Sequence, residues 1–367
     1  MMRTAKWSAS HRAEFRSQTK GRDLMYDKQV RPTNDFAEFK REEIEQSVPE
    51  RFEKIVTKYG DRLAVKDGSH ELKYDELNER ANRIARAILE RRGEGQEPVA
   101  LLLPAGASMI SGALGVLKSG NIYMPLASWF PRARNDYMLK DSLTSLIVTD
   151  SKNLQLAREL AQDKLQLVNI DELDSSLSME NLNLSMQPED IASIRYTSGS
   201  TGQPKGVFRS HRNSLYSSMR SINDSRICIH DRMASLGLAG VGSPAGIFNG
   251  ASSHRLDIRE EGLADLANWL IQLEITICTF VVTAFRHFVD TLTGEEEFPN
   301  LRLVRFGAEP VYKRDVELFM RHFPSNCILL NQLGTTETGH ICRYFIDKDT
   351  QIDGNFVPVG YVVPDKE

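Results

Sequence analysis

Short apolar runs of strand length alternate with helical patterns along most of this chain, and that alternation limits the folds open to it. Residues 99–103 (Val-Ala-Leu-Leu-Leu), 146–149, 275–282, 301–306 and 327–330 are such runs. Separated by helical patterns, they predict an α/β fold with largely parallel sheets, because parallel neighbours need a crossover long enough to hold a helix. In residues 75–91, Leu77, Ala81, Ile84, Ala85 and Ile88 fall on one helical face with Glu and Arg elsewhere. That spacing predicts an amphipathic helix laid on a core. No repeat of fixed period is present.

Residues 99–117 carry no charge and are nearly long enough to cross a bilayer. Pro104, Gly106, Gly112 and Gly115 interrupt them, so the expectation is a strand at 99–103, a turn at 104–107 and a helix at 108–118. With 41% hydrophobic and 26% charged residues and a formal net charge of −4, the composition is that of a soluble enzyme and points to neither nucleic acid nor a membrane. Cys228, Cys278, Cys327 and Cys342 lie far apart, which indicates neither a zinc site nor a disulfide framework and fits a reducing cytoplasm.

At roughly 100–200 residues per domain, the chain's 367 residues suggest two or three units. Residues 1–48 are polar and mixed in charge and read as an extension, basic at first but without the apolar stretch of a secretory signal. Beyond it we expect a first α/β subdomain over 49–190, a second over 191–330, and the start of a β subdomain over 331–367. The acidic run at Glu295, Glu296 and Glu297 sits between Gly294 and Phe298-Pro299 and reads as a solvated loop.

The segment Tyr196-Thr-Ser-Gly-Ser-Thr-Gly-Gln-Pro-Lys-Gly206 follows a strand-like run at 191–196. Glycine permits close backbone approach, hydroxyl and N–H groups donate to oxygens, and Lys205 supplies charge, so a loop of this kind can wrap a polyphosphate. A plain Gly/Ser turn is the competing reading, and the length of the string disfavours it. It is not a Walker A loop, because the G-x-x-x-x-G-K-[ST] spacing is absent and Lys205 precedes glycine. His211, on the helix expected next, reads as packing or surface, and Tyr196 as a strand residue packing under the loop.

The string resembles the signature of the superfamily that contains acyl-CoA synthetases, firefly luciferase and the adenylation domains of nonribosomal peptide synthetases. Further motifs follow in the same order over nearly all of residues 49–363. Leu72-Lys-Tyr-Asp-Glu-Leu77 and Leu117-Lys-Ser-Gly-Asn-Ile-Tyr-Met-Pro-Leu126 resemble the first two adenylation-domain motifs. Gly307-Ala-Glu-Pro310 stands where relatives contact adenine, and Asn331-Gln-Leu-Gly-Thr-Thr-Glu337 resembles N-x-x-G-x-T-E, which closes over the nucleotide.

The resemblance implies the large N-terminal domain of the adenylate-forming fold, with two mixed, largely parallel sheet-and-helix subdomains and part of a small β subdomain. It implies ATP and Mg2+ as cofactors and a carboxylic acid as substrate, activated as acyl-AMP with release of pyrophosphate. The acceptor would be the thiol of a phosphopantetheinyl carrier protein or of coenzyme A. Carried over, Thr197, Ser198, Gly199, Ser200, Thr201, Gly202 and Lys205 hold phosphates, and Gly307, Ala308, Glu309, Pro310 and Asn331 meet adenine. Gly334, Thr335 and Thr336 complete the nucleotide side, Thr336 at the α-phosphate, and Glu337 holds magnesium. Lys205, Thr336 and Glu337 are the catalytic candidates.

Two departures stand out. Amino-acid-activating relatives carry an F-D-x-S-like motif whose aspartate pairs with the substrate ammonium, whereas residues 236–246 here (Leu-Gly-Leu-Ala-Gly-Val-Gly-Ser-Pro-Ala-Gly) offer no acid. The residues given also stop at Glu367, before the ribose-binding T-G-D motif and the C-terminal domain with its catalytic lysine. The alternatives are therefore a catalytically inactive nucleotide-binding remnant of such a domain, or an unrelated NTP-binding protein.

Overall fold

The computed structural model describes residues 30–68, 70–198, 203–236 and 244–363. They fall into two compact units, Thr33–Thr279 and the segment from Phe280 to residue 363.

The larger unit opens with α1 (Val48–Tyr59), capped by a reciprocal pair in which Glu50 N donates to Ser47 Oγ and Ser47 N donates to the Glu50 carboxylate. Then come β1 (Leu63–Asp67), β2 (His70–Lys73), α2 (Tyr74–Arg92), β3 (Pro98–Leu102), α3 (Ala107–Lys118) and β4 (Ile122–Pro125). These lead to α4 (Arg132–Asp141), β5 (Leu146–Thr149), α5 (Leu154–Ala161), β6 (Gln166–Asn169), β7 (Ile191–Ser198) and β8 (Pro204–Ser210). The unit is completed by α6 (His211–Ser225), β9 (Arg232–Ser235), β10 (Ser252–Arg255), α7 (Leu266–Gln272) and the start of β11 (Ile277–Val281).

One sheet runs β6-β5-β3-β4-β7-β8 and is parallel except for the last pair. The other runs β11-β9-β10-β1-β2, again antiparallel only at its final pair. The α/β architecture with two mixed, largely parallel sheets matches the sequence expectation.

The uncharged stretch 99–117 is a buried strand followed by a buried helix, as its breakers predict. A Cβ at Gly115 would sit 2.6 Å from Ile84 Cγ2 and 3.0 Å from the Ala81 carbonyl, so glycine lets α3 close on α2. On α2, Leu77, Ala81, Ile84, Ala85 and Ile88 are all fully buried. Among the described residues no helix is long and apolar enough to cross a membrane.

Of the extension expected over 1–48, residues 1–29 lie outside the described residues, and residues 34–47 are docked. Phe39 is fully buried under the Arg51 guanidinium, and its backbone N–H and carbonyl are both bonded by the Asn223 side-chain amide, at 3.0 and 2.9 Å. A polar composition conceals this, because the contacts that hold these residues, at Phe39, Asn34, Ala37 and Glu45, are made with residues far along the chain.

The smaller unit holds α8 (Val282–Val289), β12 (Leu303–Gly307), α9 (Lys313–His322), β13 (Ile328–Thr335), β14 (Gly339–Ile346) and β15 (Tyr361–Val362). β12 and β13 are parallel, and β14 and β15 continue as an antiparallel meander. Its core is aromatic: Phe285 packs on Phe306 with centroids 4.6 Å apart, Phe280 stacks on Phe288 at 5.6 Å, and Phe298 on Phe323 at 5.2 Å. Lys348 Nζ donates to the carbonyls of Phe319, Met320 and Phe323 and so satisfies the C-terminal end of α9.

Candidate functional site

The candidate phosphate loop joins β7 to β8 as a hairpin. Its register pairs Tyr196 with Gly206, Thr197 with Lys205 and Ser198 with Pro204. Gly199, Ser200, Thr201 and Gly202 lie outside the described residues. Because side chains alternate along a strand, Ile194 and Tyr196 face one way and Ser193, Arg195 and Thr197 the other; paired residues on β8 follow, which puts Lys205 on the face of Thr197.

The first face is apolar. Ile194 belongs to the core between this sheet and α4 and α5, with Tyr196 packed against it. The Tyr196 hydroxyl donates to Asp141 Oδ2 at 2.6 Å, and burial together with this bond raises the phenol's pKa. Tyr196 is thus a strand residue with a packing job. On the opposite face Lys205 is exposed and bonds to no acid among the described residues.

β8 runs into α6 through a Ser210 cap: Asn213 N donates to Ser210 Oγ at 3.1 Å, and Ser210 N donates to Asn213 Oδ1 at 3.3 Å. His211 is 2% exposed, its Nδ1 accepts from Val48 N at 3.1 Å, and burial pushes its pKa down to about 4. It is a neutral packing residue.

In the smaller unit, register sets Phe306 beside Asn331, so Gly307 and the Asn331 motif leave the carboxyl ends of adjacent parallel strands. That is where open α/β sheets present ligand sites. Ala308 has a left-handed φ of 69°, which turns the chain sharply after the strand. A Cβ built on Gly307 would meet nothing within 4 Å, so the space beside it is open. The Glu309 carboxylate accepts from Thr283 N at 2.6 Å, at the N-terminus of α8, and so acts as a helix cap. Asn331 is buried, and its Nδ2 donates to the Pro358 carbonyl at 3.0 Å.

The next motif residues form the β13–β14 hairpin. The strand extends to Thr335, further than the apolar run at 327–330 indicates, because Gly334 and Thr335 still pair with His340 and Gly339. A Cβ at Gly334 would strike the Gly339 carbonyl, so only glycine fits there. Thr335 Oγ1 accepts from Thr338 N at 3.2 Å, and Thr336 and Glu337 stand at the tip, Thr336 half-buried and Glu337 exposed. An exposed carboxylate beside hydroxyls offers the hard oxygen ligands that Mg2+ takes along with water and phosphate oxygens. Among the described residues no three His, Cys, Asp or Glu side chains gather as a metal cluster.

Sequence reasoning missed Arg195, Arg209 and Tyr123, which share a face with Lys205. The available signal was the alternation of polar residues at 193, 195 and 197 in an otherwise apolar strand. It also missed Asp141 as the partner of Tyr196.

A family model described as AMP-binding enzyme matches residues 52–367. The chain is 30% identical over 326 residues to gramicidin S synthase 2 of Brevibacillus brevis, an alignment covering 87% of this chain and 7% of that protein. It is 31% identical over 310 residues to bacitracin synthase 3 of Bacillus licheniformis, covering 80% of this chain and 5% of the synthase. The chain therefore spans a small part of these relatives' length.

Among solved structures, the AMPPNP-bound form of the nonribosomal peptide synthetase FmoA3 superposes with a TM-score of 0.77 at 21% identity, covering 90% of this chain and 36% of that one. The N-terminal subdomain of Klebsiella oxytoca NpsA, in complex with 3-hydroxybenzoyl-AMSN, gives 0.71 at 19% identity, covering 87% and 81%. The structural likeness establishes the fold, and with the family match over residues 52–367 and the ordered motifs it places the chain in the family of AMP-binding enzymes.

Proposed function

We propose that this chain activates a carboxylic acid, using ATP to form an acyl-adenylate with release of pyrophosphate, for transfer to a carrier-protein or coenzyme A thiol. The observation that carries this reading is the β7–β8 register, which sets Lys205 across from Thr197 at the mouth of the signature loop, exposed and bonded to no acid among the described residues. A lysine so placed has phosphate as its natural partner. The NpsA subdomain, of which this chain covers 81%, holds an acyl-adenylate analogue, and that supports binding by a chain of this extent.

In this reading Thr197 to Lys205 embrace the phosphates, Gly307 to Pro310 and Asn331 flank adenine, and Thr336 meets the α-phosphate. Glu337 would hold Mg2+, which when bound offsets negative charge on the phosphate oxygens. The substrate carboxylate attacks the α-phosphorus, the bond to the β-phosphate oxygen breaks, and pyrophosphate leaves with the electron pair. Both partners are anionic, so the residues' task is neutralisation and in-line placement. We further propose an acid without an α-ammonium group, because residues 236–246 supply no carboxylate to pair with one.

The test is ATP–pyrophosphate exchange over a panel of hydroxy, keto, aryl and amino acids, with calorimetry of Mg·ATP alongside. Lys205→Ala and Glu337→Ala should each weaken nucleotide binding by about tenfold, roughly 1.4 kcal/mol. Unchanged affinity in both variants would sink the site assignment. Binding without any exchange would instead mark a nucleotide-binding remnant, and preference for an L-amino acid over its deaminated analogue would overturn the substrate class.

A further inference from the structure

The polar face of the β7–β8 hairpin carries two guanidiniums with no carboxylate among the described residues to balance them. Register pairs Tyr123 with Ser193 and Ser193 with Arg209, so these three stand abreast on β4, β7 and β8, and Arg195 lies two residues along the same face. Arg195 Nη2 donates to the Tyr123 hydroxyl at 3.3 Å. Arg209 Nη2 donates to the Asn213 carbonyl at 3.4 Å. Ser193 is fully buried and its Oγ has no partner; Arg195 Nε is likewise buried and unpartnered. Tyr123 is 7% exposed and both arginines are half-buried.

The charge environment is one-sided. Arg195 is influenced by Tyr123, and Arg209 by Arg195 and Tyr123, with no carboxylate among the described residues acting on either. Burial and the charge of Arg195 pull Arg209 below its ordinary value. Burial alone would raise the Tyr123 phenol, yet the Arg195 guanidinium, by charge and hydrogen bond, and the charge of Arg209 hold it below its usual range. Two cations kept together out of water without a counter-charge are unfavourable, and a bound anion removes that cost.

We propose that Arg195, Arg209, Ser193 and Tyr123 form a phosphate-oxyanion site and, resting on the reading above, that its occupant is the pyrophosphate released at the adjoining loop. Thr197 and Lys205 share this face, and Arg195 lies two strand positions from Thr197, about 7 Å. Two arginine forks and two hydroxyls can hold a multiply charged phosphate through several oxygens. The pair gives pyrophosphate a second resting place as it leaves Lys205.

The experiment is calorimetry of inorganic pyrophosphate, and separately of orthophosphate, on the chain and on Arg195→Met, Arg209→Met, Arg195→Lys and Lys205→Ala. Pyrophosphate affinity should fall about tenfold in each methionine variant, less in Arg195→Lys, and survive in Lys205→Ala. Without anion, the melting temperature of the methionine variants should hold or rise, since removing one of two like charges relieves repulsion; a purely structural role would lower it. Pyrophosphate should raise the melting temperature of the unaltered chain and not that of the double methionine variant.

Pyrophosphate binding indifferent to both arginines, or abolished by Lys205→Ala alone, would overturn the site. A tyrosinate absorption band in the anion-free chain at neutral pH would also overturn it, by showing that Tyr123 is the counter-charge. Equal, arginine-dependent binding of orthophosphate would overturn the pyrophosphate assignment. Failure of the proposed adenylation is read separately, as an unaltered chain that does not bind Mg·ATP.

Discussion

The two regions that carry the recognised motifs handle charge in opposite ways. In the smaller unit the charged groups around the motifs are engaged in structure: Glu309 caps α8, Asp315 pairs with Arg286, and Lys348 closes the end of α9. In the β7–β8 hairpin, Lys205, Arg195 and Arg209 form no ion pair among the described residues. A polar residue inside a motif therefore argues for a ligand only when the fold has given it no other work. By that measure the hairpin is the stronger candidate for binding an anion, while Glu309 and Asn331 are bonded within the smaller unit.

The largest expected effect comes from breaking an engaged group. Asp315 is 1% exposed, accepts two bonds from the Arg286 guanidinium at 2.7 and 2.8 Å, and accepts Tyr312 N at 2.8 Å at the start of α9. Arg286 is 39% exposed at its side chain and can rehydrate, so Asp315→Ala should cost about 3 kcal/mol, at the low end for a broken buried pair. Denaturant unfolding measures this. A variant of unchanged stability but weakened nucleotide affinity would break the comparison, because Asp315 would then be acting on ligand rather than on the fold.

A somewhat smaller effect tests the residue that follows the hairpin. His211 and His254 are both buried, and burial foremost lowers each pKa from 6.5 to about 4. The folded state holds these imidazoles neutral while the unfolded chain takes up protons below pH 6.5, so their contribution is complete above 6.5 and is lost as pH falls towards 4. Stability should drop by about 1.4 kcal/mol per pH unit for each histidine in that window. For His211 the cause is visible, since Nδ1 must remain unprotonated to accept from Val48 N. Unfolding midpoints from pH 7 to 4.5 should show a shallower acid slope in His211→Gln. An unaltered slope would mean that His211 is free to titrate, and a catalytic role would return to consideration.

Much of this could be read in the chain, for identifiable reasons. Residues 146–149 form a strand with those bounds, and residues 75–91 lie within α2, because a buried β-rich run and a one-faced helix are each specified locally. Membership of the AMP-binding family was legible because the residue types of the string at 196–206 are rare in combination. What stayed hidden depends on long-range pairing. Nothing local tells that the Asn223 amide will clasp Phe39, that Gly334 and Thr335 will zip against Gly339 and His340, or that Arg209 will stand beside Ser193 and Tyr123. The motif gave Lys205, while the cations flanking it appear only once strand register is known.

The smallest predicted effect separates the two faces of the hairpin itself. Tyr196 falls within the signature string, so a motif-based reading would give it a part in nucleotide binding, yet its ring packs on the apolar core and its hydroxyl donates to Asp141 at 2.6 Å. Tyr196→Phe keeps the ring and removes one hydrogen bond to a carboxylate that is close to solvent, so water can replace the lost donor. The expected loss is about 1 kcal/mol of folding stability, with Mg·ATP affinity unchanged. Lys205→Ala should do the reverse, leaving unfolding nearly unaltered, since an exposed side chain with no acid partner among the described residues contributes little to the fold. Measured together by thermal unfolding and calorimetry, the two variants form a crossed pair on adjacent faces of one hairpin. Loss of nucleotide affinity in Tyr196→Phe at full stability would show that the faces are not independent, and that the loop's grip on phosphate is set from beneath by the Tyr196–Asp141 bond.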